Sequence, residues 1–228
     1  MFGGGMFGFG GGDPAQSSKL MLLQRDDVRT ELALSAKQKE QMEAEQQKAR
    51  DSMRGNMQDF QSMRDLPPEE RRQKMQEMRE QMQTRMRTFM TDMTAKIESV
   101  LTPAQNKRLG ELDLQFRGPL ALSDDQVAAK MGLSPDQQRQ LSNIIAEYRN
   151  GQQEVMRSMM GRGGQGGNPG ERPDPQAMRA RFEEMQKETE RLKKASADKV
   201  VAMLTAQQKQ TWKTLQGKPF TFRTNNGF

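Results

Sequence analysis

Apolar residues recur at helical spacing through long, otherwise polar stretches of this chain. Beyond Ser35, stepping about 100° per residue places Met42, Ala49, Met53, Met57, Phe60 and Met63 on one stripe. Glu45, Gln46 and Asn56 share that stripe, which predicts a face only partly withdrawn from water. Pro67-Pro68 ends this helix and opens the next, because the residue before a proline avoids the helical region and proline is tolerated in a first turn. Glu69 and Glu70 then sit near the positive end of the new helix dipole. From Pro68 to Ser99 the period is cleanest: Met75, Met78, Met82, Met86, Phe89, Met93, Ile97 and Val100 fall within a band about 120° wide. The second half of the chain repeats the pattern, first with Leu141, Ile144, Ile145, Tyr148, Val155, Met156 and Met159, then with Met178, Phe182, Met185, Leu192, Val200 and Met203. Shorter helices are predicted from Leu20 to Leu32 and after Thr102, the latter carrying Leu109, Leu112 and Phe116. The fold class these patterns predict is all-α, built from elongated helical hairpins.

A five-residue pattern punctuates the helices. Leu34-Ser35-x-x-Gln38, Leu101-Thr102-x-x-Gln105, Leu133-Ser134-x-x-Gln137 and Leu204-Thr205-x-x-Gln208 each precede a helical stretch. Each reads as a capping box: the hydroxyl accepts from the N–H three residues on, and the glutamine reaches back to the cap N–H. Pro103 and Pro135 follow their caps at the position where a missing N–H costs nothing. The leucine anchors the chain entry, and the motif itself starts helices without performing chemistry. The first and third copies lie 99 residues apart and the second and fourth 103 apart, so the chain is two copies of one unit of about a hundred residues. Flanking apolar positions keep the register: Leu23, Val28 and Met42 match Leu122, Val127 and Leu141.

These signals divide the chain into a flexible Gly/Phe/Met-rich tether over 1–18, a first unit over 19–118 and a second over 119–228, with the boundary at Gly118-Pro119. Leu122-Ser123-Asp124 is one more helix start. The second unit's hairpin loop, 161–175, holds six glycines and is predicted to be mobile. It is no phosphate loop, since no strand precedes it and no Gly-Lys-Ser/Thr follows. The tail from Gly217 reads as an extended strap, with Phe220 and Phe222 available for docking.

The repeated Leu-Thr-x-x-Gln motifs, the intervening Leu66-Pro67-Pro68-Glu69-Glu70-Arg71-Arg72 and the Met/Gln/Arg-rich helical surroundings resemble the Spy/CpxP-type periplasmic proteins. The resemblance covers 20–118 well and 119–216 moderately. It departs from the usual pattern in carrying two units per chain and in having Ser for Thr in two motifs. It implies a curved helical cradle that holds unfolded clients without ATP, or alternatively a stress- or metal-sensing accessory of an envelope signalling system. In that family one unit pairs with a second copy, so the tandem here implies a pseudo-dimeric cradle in a monomeric chain. It also implies a periplasmic location, with the export signal removed from the chain as given.

Composition narrows the chemistry. Leu, Ile, Val and Phe number only 36 of 228 residues, a proportion typical of disordered chains, but 20 methionines supply further apolar side chains, enough to line helix stripes though not to fill a thick core. Cys and His are absent, which removes disulfides, thiol chemistry and imidazole ligands; no metal site and no cofactor are expected. No apolar run reaches membrane-spanning length. The net charge of +6 is spread among alternating acids and bases, and one Trp and one Tyr give no stacking platform, so nucleic acid is not an expected partner. Carboxylates recur at the three- and four-residue spacing of solvated helix faces, which argues against an enzyme. The candidate client-binding residues are Met53, Met57, Phe60, Met75, Met78, Met82, Met86 and Phe89, methionine being flexible enough to fit many partners. The competing reading places that stripe in the core of an antiparallel hairpin; a Cu(I) site built from thioethers alone is a third.

Overall fold

The computed structural model describes residues 14–54, 67–163 and 175–223. Among these residues every element is helical: α1 (Pro14–Leu22), α2 (Asp26–Glu31), α3 (Ala36–Arg54), α4 (Pro68–Val100), α5 (Pro103–Arg117), a 3-10 helix (Gly118–Ser123), α6 (Asp125–Met131), α7 (Pro135–Gly163), α8 (Pro175–Met203) and α9 (Ala206–Gln216). The chain forms two compact units. One comprises residues up to Phe116 together with Gln216 onward, and the other Arg117–Leu215.

In the first unit α3 and α4 form an antiparallel hairpin, so that the start of α3 lies beside the end of α4. The core gathers at that end. Leu22, Leu23, Val28, Met42, Ile97, Leu109 and Leu112 are almost wholly buried there, joined by Leu20, Leu32, Leu34, Met93 and Leu101. α1 lies against α4, and Ser18 donates its hydroxyl to the buried carboxylate of Asp113 on α5, which ties the first helix to the fifth. The continuous helix predicted from Leu20 to Leu32 is broken. Arg25 is extended between α1 and α2, and Asp26 and Asp27 open the second helix, where acidic residues suit the positive dipole end. The Arg29 Nε donates to Leu23 O across the break. Helix also begins earlier than the tether reading allowed, at Pro14 rather than after Ser18.

In the second unit α7 and α8 form the hairpin, and the 3-10 helix packs on α6, α7 and α8. Ala121, Leu122, Val127, Met131, Leu133, Leu141, Ile145, Val200, Leu204 and Trp212 are buried. The cap that starts α6 is Asp124, whose carboxylate accepts from the N–H groups of Gln126 and Val127. Gly118 and Gly132 hold left-handed φ angles, 65° and 61°, at the ends of α5 and α6. The first-unit counterpart of Gly132 is Ala33, which adopts the same region, φ 48°, without glycine's freedom.

The tail is assigned to the second unit by its position in the sequence. In the fold, residues from Gln216 return to the first unit, where Phe220 and Phe222 pack against its core.

Candidate functional site

Each Leu-Ser/Thr-x-x-Gln copy closes the reciprocal capping pair. Ser35 N–H donates to Gln38 Oε1 at 3.0 Å and Gln38 N–H to Ser35 Oγ at 3.2 Å. The corresponding distances are 2.9 and 3.3 Å at Thr102 and Gln105, 3.0 and 3.2 Å at Ser134 and Gln137, and 3.0 and 3.2 Å at Thr205 and Gln208. All four leucines are buried. Leu34 and Leu133 do more than anchor the entry. Their N–H groups donate back to Arg29 O and Ala128 O, five residues earlier, so each is the residue that closes a Schellman turn on the preceding helix.

Within each unit the two glutamines also bind each other. Gln38 Nε2 donates to Gln105 Oε1 at 2.8 Å, and Gln105 Nε2 returns a bond to Gln38 Oε1 at 3.2 Å. The second hydrogen of each amide reaches a main-chain carbonyl beside the opposite motif: Gln38 to Val100 O at 2.9 Å, Gln105 to Leu32 O at 3.0 Å. The second unit repeats the clasp, with Gln137 and Gln208 exchanging bonds of 2.8 and 2.9 Å and reaching Met203 O and Gly132 O. Each amide therefore uses two donors and two acceptor positions, its full capacity. A capping box tolerates Glu or Gln at its last position, but this clasp tolerates only the amide, because a carboxylate has no hydrogen to give. The clasp is absent from the sequence reading. The signal that carries it is the occurrence of Gln at all four positions, with no Glu.

The same pattern characterises a family. The sequence profile described as LTXXQ motif family protein matches residues 22–113 and again residues 121–216. The chain belongs to the LTXXQ motif family. No curated protein matches it, and no solved structure does. The LTXXQ family is in general periplasmic, and its members are chaperones or accessory proteins without enzymatic activity. In this LTXXQ chain, no helix among the described residues is long and apolar enough to cross a membrane, and no group of three His, Cys, Asp or Glu among them could hold a metal ion.

The candidate client-binding residues fall into distinct places. Phe89 is partly buried and packs against the first unit's core, and Met78 on α4 is half-buried. Met53, Met75, Met82 and Met86 belong to α3 and α4, but their side chains lie outside the described residues, as do Met57 and Phe60 altogether. Further along α4 the stripe enters the core at Met93 and Ile97. On α3, Glu45 stays partly exposed and pairs with Lys48 at 2.6 Å and Lys96 at 3.4 Å; the hydrogen bond from Lys48 is the main cause that holds its carboxyl below the usual range. The second unit leaves apolar surface uncovered as well: Phe182 is 49% exposed and Val201 37%. Ile144, Ala202 and Met203 line a shallow groove whose rim is Gln140, Asn143 and Lys199. Tyr148 on α7 is half-buried, and burial, with the nearby charge of Glu190, pushes its phenol up.

Proposed function

We propose that this LTXXQ protein is an ATP-independent holdase of the periplasm, binding unfolded or partly folded proteins on the half-covered apolar faces of its two hairpins. The observation that carries the reading is the incomplete burial of stripe residues on long amphipathic helices. Phe182 is exposed, and Met78, Ile144, Met156 and Met185 are only partly covered, among charged neighbours. Flexible methionines and scattered charge suit varied clients better than one shaped ligand. Tandem units supply in one chain the two copies that the resembling proteins bring together, so a single chain is the working species.

Light scattering from a heat-denatured test protein measures the activity. Aggregation should be suppressed at near-stoichiometric ratio without nucleotide; an unchanged curve at several-fold excess would sink the reading. Replacing Met78, Met82 and Met86 together by Gln should weaken suppression while circular dichroism stays largely the same. Loss of helicity instead would make the stripe core. Stoichiometric binding of one folded partner, with no suppression, would point to the accessory role found elsewhere in the family.

A further inference from the structure

The segment 217–223 lies on the first unit without secondary structure of its own. Its entry depends on Gly217, which follows α9 at φ 62° and whose missing Cβ would collide with the Glu111 carboxylate. The polar bonds to the segment are made by first-unit side chains and fall on its main chain. Arg108 Nη1 donates to Lys218 O at 2.8 Å, and Gln115 Nε2 to the same oxygen at 2.8 Å. Gln115 Oε1 accepts from Phe220 N–H at 2.8 Å. Arg25 Nη2 donates to Arg223 O at 2.6 Å, and Asp27 Oδ2 accepts from Arg223 N–H at 2.7 Å.

Two side chains of the segment are gripped, and they are two residues apart. Residues so spaced on an extended chain share a face. The Phe222 ring meets Phe116 edge-on at 5.4 Å and Phe220 at 5.0 Å, and the Arg25 guanidinium lies 5.6 Å from its centre. Arg25 is itself held by Asp27 at 2.7 Å, and Arg108 by Glu31 at 2.7 Å and Glu111 at 2.9 Å, so both donors are also anchored by carboxylates outside the segment.

A site that reads main chain through fixed side chains and asks only for aromatics at alternate positions recognises a class of segments rather than one sequence. We propose that this surface of the first unit binds extended segments of unfolded polypeptide with aromatic residues two apart, and that the chain's own 217–223 occupies it as an intramolecular competitor. The ligand class rests on the chaperone reading; the site does not. A tethered competitor acts at high effective concentration, millimolar for short linkers, so a free segment binds weakly until the strap leaves.

Fluorescence anisotropy of a labelled peptide with the sequence of 217–223 tests this on the full chain. The double variant Phe220→Ser/Phe222→Ser frees the site and should bind the peptide at least tenfold more tightly than the wild type. Gly217→Ala, which strains the entry but keeps both rings, should fall between them. Adding Gln115→Ala to the double variant should cost at least tenfold, and a peptide with both phenylalanines changed to serine should not bind. Equal affinity for wild type and double variant, or no binding to any form, overturns the proposal. So does loss of amide protection across α1, α2 and α5 in both strap variants, which would make the segment a fixed part of the core. Should aggregation be suppressed while the peptide binds no form, only the strap site falls. Should the peptide bind the freed site while no form suppresses aggregation, the chaperone reading falls and the site stands.

Discussion

Substituting Gln105 by Glu would keep the oxygen that accepts from Thr102 N–H and remove both hydrogens given to Leu32 O and Gln38 Oε1. Two part-buried hydrogen bonds are lost and two acceptors are left facing a carboxylate, a destabilisation of about 2–3 kcal/mol. A thermal melt should show the midpoint falling by roughly 10 °C. At Ala33 the opposite change should help. Left-handed geometry costs a non-glycine residue about 1–2 kcal/mol, and glycine gives part of that back in unfolded-state entropy. Ala33→Gly should therefore stabilise the chain by roughly 0.5–1 kcal/mol, measured by urea titration. The caps were legible in the sequence because a capping box is a local, four-residue object. The clasp was not, because Gln38 and Gln105 meet only once the hairpin has folded back over 67 residues.

Among the elements, α4 carries one continuous stripe that the fold treats unequally. Met93 is 8% exposed and sits in the core, whereas Met78 is half-buried. Met93→Gln should cost about 2–3 kcal/mol through a poorly paired buried amide, and Met78→Gln less than about 1 kcal/mol. Chemical denaturation of the two variants checks the contrast. Periodicity found the helices of both hairpins, since a 3.6-residue repeat survives in any one stretch of chain. It could not show where along α4 the stripe meets the core, which α1, α2 and α5 decide by packing at one end. It also ran α1 into α2, because the turn at Arg25 bears neither Gly nor Pro. The strap adds a dependence on acid. Asp27 is held below the usual carboxylate range chiefly by its hydrogen bond from Arg25, with the Arg223 and Val28 N–H groups adding to it against the cost of burial. With its folded pKa depressed, the stabilisation is full above the unfolded value, near 3.8, and is lost as pH falls through the folded one. Amide exchange at Arg223 should therefore accelerate, relative to its intrinsic rate, below about pH 4, and Asp27→Asn should abolish that step.

For the whole molecule, duplication was legible from four motifs at two nearly equal offsets, and the family profile matches the same two stretches. The return of the tail to the first unit was not, because nothing in Gly217-Lys218-Pro219-Phe220 names the surface it meets. If the tandem replaces self-association, light scattering coupled to size-exclusion chromatography should give a mass near 26.0 kDa at all concentrations. A stable species of twice that mass would contradict it.

The returning tail also reverses the usual order of assembly. The second unit is contiguous, Arg117–Leu215, whereas the first is interrupted by it and closes only when residues beyond Gln216 arrive. Synthesis delivers a chain from its N-terminus at about 5–20 residues per second, so Phe222 follows Phe116 by roughly 5–20 s. Until Phe222 arrives the nascent first unit presents an unfilled aromatic seat, and the domain made later receives its last residue, Leu215, before the first receives its own.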